Sequence, residues 1–243
     1  MKINDIEYKS IEPDKSLSDF VESFWMFHNP NCTDKQVVIL PDGRIDVFFS
    51  QSATEPFHIT LLGIGTNYEQ SIIKAQTTTF AISFKPVATE DLLKQNISDL
   101  LNKGKNLPDN FWGFSPLDLL DFELFCKKAT QQIKSLLPND IDSRKQKLFE
   151  LIYNSNGSMT VAELSEKVFW SSRQINRYFN QHFGLTLKAY CNILRFRSSF
   201  QHIKDGNLFP EQNFADQAHF IKEVKKLAGV NPKQLNKNAN DRF

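Results

Sequence analysis

Two helix-start signals placed close together constrain this chain more than any other feature. Thr160-Val161-Ala162-Glu163 and Ser171-Ser172-Arg173-Gln174 each set a hydroxyl residue three places before Glu or Gln. In such a capping box the hydroxyl accepts from a first-turn N–H, and the Glu or Gln side chain reaches back to the cap's own N–H. The first helix has room only for Val161 to Val168 before Phe169-Trp170 interrupts it. The second runs to Phe183, where Gly184 supplies a stop. Val161, Leu164 and Val168 give the first helix one apolar face, and Ile175, Phe179 and Phe183 do the same for the second. Two short capped helices around a tight turn describe a helix-turn-helix.

The polar face of the second helix carries the chemistry. With Ile175 and Phe179 inward, Arg173, Asn176, Arg177 and Asn180 face outward. Arginine can grip guanine O6 and N7 with two hydrogen bonds, and asparagine suits adenine N6 and N7. Ser171 and Ser172 stand at the helix start, where free backbone N–H groups and a hydroxyl can hold a phosphate. An ordinary helical hairpin with a solvated face shares this pattern. Charge adds to the nucleic-acid reading. Residues 1–140 hold 13 Lys+Arg against 19 Asp+Glu, a net −6, and residues 141–243 hold 16 against 9, a net +7. An acidic front and a basic back fit a regulatory part joined to a nucleic-acid reader.

The front of the chain reads as β structure. Short apolar or aromatic runs at Val21–Phe27, Val37–Leu40, Ile45–Phe49, Phe57–Ile64, Gln70–Lys74 and Thr77–Lys85 are separated by turn residues. Such spacing suggests a sandwich or barrel. Pro41-Asp42-Gly43 lies between the second and third runs and predicts a hairpin, with Arg44 and Asp46 read as a surface ion pair. Thr89–Gln95 predicts a short helix and Asn106–Gly113 a loop. A helix from Pro116 to Leu137 carries Leu119, Leu120, Leu124, Ile133 and Leu137 at helical spacings. The expected fold class is therefore α+β. A β-barrel-like domain with flanking helices (residues 1–137) precedes a linker (138–142) and an all-α domain (143–243).

The segment VAELSEKVFWSSRQINRYFNQHFGLTLKAYCNILRFRSSFQHI, residues 161–203, resembles the DNA-binding domain of the AraC/XylS family of bacterial transcription regulators. ADQAHFIKEVKKLAGVNPKQL, residues 215–235, is similar to that family's run over its second helix-turn-helix. The resemblance implies two helix-turn-helix units joined by one long helix, here Thr186 to Lys204. Each unit would place a recognition helix in the major groove, residues 171–183 for the first and 216–228 for the second. It assigns Arg173, Asn176 and Arg177 to bases in the first unit, and Gln217, His219 and Lys222 in the second, with Phe220 inward. Of these His219 has the weakest claim, since histidine more often packs or caps. In the N-terminal half, VESFW, LPDGRIDVFFS, LLGIGT and FAISFKPVA resemble the barrel-like sensory domain of some regulators in this family. The implied partners are double-stranded DNA, a small-molecule effector in the N-terminal domain, a second copy of the chain and RNA polymerase. The implied location is the cytoplasm.

One departure from the family pattern is legible. Between the joining helix and the second recognition helix lies only Asp205 to Phe214, interrupted by Gly206 and Pro210. The second unit is expected to be shortened, leaving the first to dominate specificity. A protein–protein adaptor that keeps the fold and binds little DNA is the alternative.

Other classes are poorly served. The front half has only His28 and His58, far from any ligand spacing, and Cys32, Cys126 and Cys191 form no Cys-x-x-Cys pair. Gly63-Ile64-Gly65 lacks the rest of a phosphate loop, and no Gly-x-Ser-x-Gly occurs. No catalytic residue, metal or cofactor is expected. An odd, scattered cysteine set fits a reducing compartment, and the N-terminus Met1-Lys2-Ile3-Asn4-Asp5 has no apolar signal core.

Overall fold

The computed structural model describes residues 2–3, 6–138, 140, 142–207, 214 and 216–237. Among the described residues nine strands come first: β1 (Lys2–Ile3), β2 (Ile6–Ile11), β3 (Val21–Asn29), β4 (Lys35–Ile39), β5 (Ile45–Gln51), β6 (His58–Leu62), β7 (Glu69–Ile73), β8 (Thr77–Phe84) and β9 (Gly104–Leu107). They form a seven-stranded antiparallel sheet, β1-β2-β3-β8-β5-β6-β9, and a two-stranded one, β4-β7. Alternation explains β5: Ile45, Val47 and Phe49 are buried while Asp46 and Phe48 between them are not fully covered. β8 is buried along nearly its whole length because it lies between β3 and β5. Val37 and Ile73 pack the small sheet onto Ile6 and Phe27.

The hairpin expected at Pro41-Asp42-Gly43 does not form. β4 pairs with β7, while β5 pairs with β6 and β8. The turn carries the chain from one sheet to the other. Asp42 accepts from the Arg44 N–H at 3.0 Å, so the local turn chemistry is real, but it does not choose the strand partner. Nor do Arg44 and Asp46 pair. Arg44 faces Asp42 at 3.2 Å and Glu22 at 3.5 Å, and Asp46 accepts from Ser83. β9 occupies the start of the expected loop at Asn106–Gly113, and its Leu107 is buried.

Helix α1 is short (Ala88–Asp91). The single helix expected from Pro116 to Leu137 is divided. A 3-10 turn covers Pro116–Leu119, and α2 (Phe122–Leu136) starts afresh at Asp121, whose carboxylate accepts from the N–H groups of Glu123 and Leu124. The division turns the expected apolar stripe. Leu119 and Ile133 are buried, but Leu117, Leu120 and Leu124 are 75%, 81% and 60% exposed. Phe125 and Phe122 instead turn toward the sheet, where Phe49, Phe80 and Phe114 meet them at ring separations of 5.1–5.4 Å. These aromatic side chains fill the β interior around Phe49 and Phe80.

The helical part contains α3 (Ser143–Asn154), α4 (Val161–Val168), α5 (Ser172–Phe183), α6 (Leu187–Ser198), α7 (Phe200–Lys204), α8 (Gln217–Ala228) and α9 (Pro232–Lys237). The long joining helix is interrupted at Ser199, whose N–H reaches the Arg195 and Phe196 carbonyls at 3.2 and 3.1 Å. That 3-10 tightening separates α6 from α7. Most of the expected short segment before α8, residues 208–213 and 215, lies outside the described residues, as do Asn139 and Ile141 of the expected linker. The buried core is continuous from Val47 and Phe49 in the sheet to Phe149, Phe179 and Phe196 in the helices. Among the described residues, no helix is long and apolar enough to cross a membrane.

Candidate nucleic-acid interface

Both capping boxes form. The Glu163 N–H donates to the Thr160 hydroxyl at 3.2 Å, and the Thr160 N–H donates to the Glu163 carboxylate at 2.7 Å. Those bonds from Thr160, backbone first, hold the Glu163 carboxyl below its ordinary range. At α5 the Gln174 N–H donates to Ser171 Oγ at 3.3 Å and the Ser171 N–H to Gln174 Oε1 at 2.9 Å. α5 then buries Ile175, Tyr178, Phe179 and Phe183, with the Phe179 ring 5.8 Å from Phe149.

That burial decides which side chains are free. Arg173, Arg177 and Asn180 are exposed, as the four-residue apolar steps predict, but Asn180 donates its amide to the Asn176 carbonyl at 2.8 Å. Asn176 is half-buried and donates its amide to the Ser172 carbonyl at 3.0 Å, so its donor is engaged within its own helix. Ser171 is engaged in the cap, and Ser172 is half-buried at the first helical position.

In the second unit, Asp216 caps α8 by accepting from the His219 N–H at 2.7 Å. Gln217, Lys222, Lys225 and Lys226 are exposed. His219 turns inward: it is half-buried, its ring is 5.8 Å from Phe214, and its buried Nδ1 has no hydrogen-bond partner among the described residues. Phe220, Val224 and Leu227 are buried, and Glu223 accepts from Asn192 of α6 at 3.2 Å. α9 is an unexpected brace for this unit. Its Asn236 donates to the α7 carbonyls of Ile203, at 2.5 Å, and Lys204, at 3.1 Å. The signal for α9 was present in Asn231-Pro232-Lys233-Gln234. Asn231 accepts from the Gln234 N–H at 2.9 Å, and proline opens the helix.

Sequence reasoning also missed what holds α5 and α8 at their far ends. The β part supplies Asn96, whose amide donates to the Gln181 carbonyl at 3.0 Å, and Ile97, whose N–H donates to the His182 carbonyl at 3.2 Å. Both satisfy carbonyls that a helix end leaves open. Gly184 caps α5 at φ +74°, and a Cβ there would stand 2.5 Å from the Ser98 carbonyl oxygen. Gly229 caps α8 at φ +73° with the Tyr68 ring against it, where a Cβ would stand 2.6 Å away. His182 lies 2.9 Å from Glu90, which also pairs with Lys145 of α3. Nearby, Glu22 on β3 faces Arg197 of α6, Arg44 and Lys85. Burial alone would raise the Glu22 carboxyl, but Arg197 and the other two cations hold it below its ordinary range. A cleft of about 220 Å³ lies alongside, between Phe20 and Lys85 of the β part and Phe149 and Tyr153 of α3.

Residues 9–105 match a family described as a domain of unknown function, DUF6597. No curated protein matches the chain. Among solved structures, an apo variant of ToxT from Vibrio cholerae strain SCE256 is 12% identical. That match covers 93% of this chain and 99% of the other at a TM-score of 0.47. ToxT from Vibrio cholerae O395 is 13% identical, with 88% and 97% covered and a TM-score of 0.47. At these values the likeness concerns the course of the backbone alone.

Proposed function

We propose that the chain is a sequence-specific, double-stranded-DNA-binding transcription regulator of the AraC type. The observation that carries the reading is α5. Its N-terminus is capped, one face is locked into the core by Ile175, Phe179 and Phe183, and the other presents Arg173, Arg177 and Asn180 to solvent. A helix held so can enter the major groove with two arginines at base height. Asn176 and Asn180 contribute less than their positions suggest, because their amide donors are bonded within the helix.

α8 is the second contact. Gln217 and Lys222 face outward, and Lys225 and Lys226 extend the positive charge toward phosphates. His219 serves packing on this reading, not base contact. The β part acts as the regulatory and assembly part, with the exposed Leu117, Leu120 and Leu124 pairing it with a second copy.

Selection of bound fragments from genomic DNA by the purified full chain tests the proposal. It expects a common motif among the recovered fragments. Recovery of fragments without any shared sequence contradicts sequence-specific binding, and recovery of little DNA supports the adaptor alternative.

A further inference from the structure

Phe169 is the turn residue between α4 and α5. It is 90% exposed, the most exposed large apolar side chain among those described, and its backbone is left-handed at φ +53°, ψ +36°. A left-handed backbone strains a residue with a Cβ, and a solvated phenyl ring leaves its apolar surface in water. Glycine would remove both penalties without disturbing the cap, which uses only the Phe169 backbone N–H on the Ser165 carbonyl. Fold stability therefore gives no reason for phenylalanine here, and the ring's apolar surface is free for a partner.

The surroundings say which partner. Exposed Lys167 and Arg173 flank Phe169 in sequence, and the Arg144 guanidinium lies 5.3 Å over the ring of neighbouring Trp170. Glu163 and Glu166 are exposed acidic neighbours, and Asp142 pairs with Arg144 at 3.0 Å. An apolar ring just ahead of the helix that carries Arg173 and Arg177 fits a partner met by those arginines that also offers apolar groups, which on the DNA-binding reading is the duplex. In duplex DNA the apolar group of the major groove is the thymine methyl. We infer that Phe169 is a specificity-determining residue that packs on a thymine methyl beside the bases met by α5. This rests on the DNA-binding reading above.

The test uses the full chain and duplexes recovered by selection with the wild-type protein. Phe169→Gly should fold at least as stably, since it relieves the left-handed strain. Wild type should lose about four-fold in affinity when one thymine at the edge of the α5 site is replaced by deoxyuridine, the loss expected for one methyl group. Phe169→Gly should bind the thymine duplex about four-fold more weakly than wild type and be indifferent to the replacement. Phe169→Leu, still apolar, should keep part of the discrimination. The inference is overturned if thymine and deoxyuridine duplexes bind wild type equally at every position. It is also overturned if Phe169→Gly weakens both duplexes alike, or changes nothing on DNA while losing a protein partner. Failure of the wild type to select any sequence would sink the DNA-binding reading itself, and that result is distinct from these.

Discussion

The Tyr190 hydroxyl on α6 donates to the Gly43 carbonyl oxygen in the β4–β5 turn at 3.2 Å, and it lies 2.8 Å from the Tyr153 hydroxyl of α3. A carbonyl can only accept, so the one Tyr190 proton goes to Gly43 and Tyr153 donates to Tyr190. The two substitutions are therefore unequal. Tyr190→Phe leaves both the Gly43 carbonyl and the Tyr153 hydroxyl without their partner and should lower stability by about 2–3 kcal/mol. Tyr153→Phe leaves Tyr190 bonded to Gly43 and should lower it by about 1 kcal/mol. Denaturant unfolding of both variants checks the order. Equal losses would contradict this proton arrangement.

Glu22→Gln should destabilise the chain by about 3 kcal/mol at neutral pH, because Arg197, Arg44 and Lys85 would lose the carboxylate they share. The sign with pH follows from the lowered carboxyl. The folded chain binds this proton less readily than the unfolded one. The stabilisation is present above the ordinary carboxylate value and is lost as pH falls through the folded value. Wild type and variant should converge in acid unfolding curves, and a constant gap down to pH 3 would contradict the assignment.

Asp46 has the opposite sign. Removal from water, with Asp42 adding repulsion, pushes its carboxyl up to about 7, while Ser83 donates to it and Trp25 donates to Ser83 at 2.9 Å. The folded chain holds this proton more readily than the unfolded one, so the favourable contribution is lost as pH rises toward and through 7. Asp46→Asn should gain on wild type by about 1–3 kcal/mol between pH 5 and pH 8. Unfolding midpoints across that range measure it. No change in the difference would contradict the raised value.

Much of the helical part could be read directly because caps are local chemistry. Ser171 with Gln174, and Asp216 ahead of α8, fix helix starts within a few residues of chain. The failures were non-local. Pro41-Asp42-Gly43 announces a turn but not that β4 will pair with β7. The stripe through Leu120 and Leu124 has helical spacing, yet a new start at Asp121 points these residues to solvent. Nothing near Gly184 or Gly229 in sequence names Ser98 or Tyr68 as what lies against them. Asn176 has the right residue type and position for a base contact, and only the structure reveals its bond to Ser172.

The exposed leucines ahead of and on α2 bear on assembly. Leu120→Ser with Leu124→Ser removes apolar surface that the fold does not use, so thermal stability should change by no more than about 0.5 kcal/mol. Sedimentation at tens of micromolar should show a dimer for wild type and a monomer for the double variant. A monomeric wild type, with and without DNA, would contradict pairing through this face.

The two helix-turn-helix units should differ in what their substitutions change. Arg177→Ala should cost about 1–3 kcal/mol on a selected site and relax preference at one position. Lys222→Ala should weaken binding almost evenly across sequences and reduce the salt slope by about 1. Repeating the selection with each variant compares them. An altered motif for Lys222→Ala as large as that for Arg177→Ala would contradict the division of labour.

The most direct test of the central claim is a fluorescence anisotropy titration of the full chain against a selected duplex and a scrambled one of equal length and composition, at several salt concentrations. The account predicts that the selected duplex binds about 1,000-fold or more tightly at physiological salt, with both affinities falling linearly in log–log form as salt rises. Equal affinity for the two duplexes at every salt concentration would contradict it.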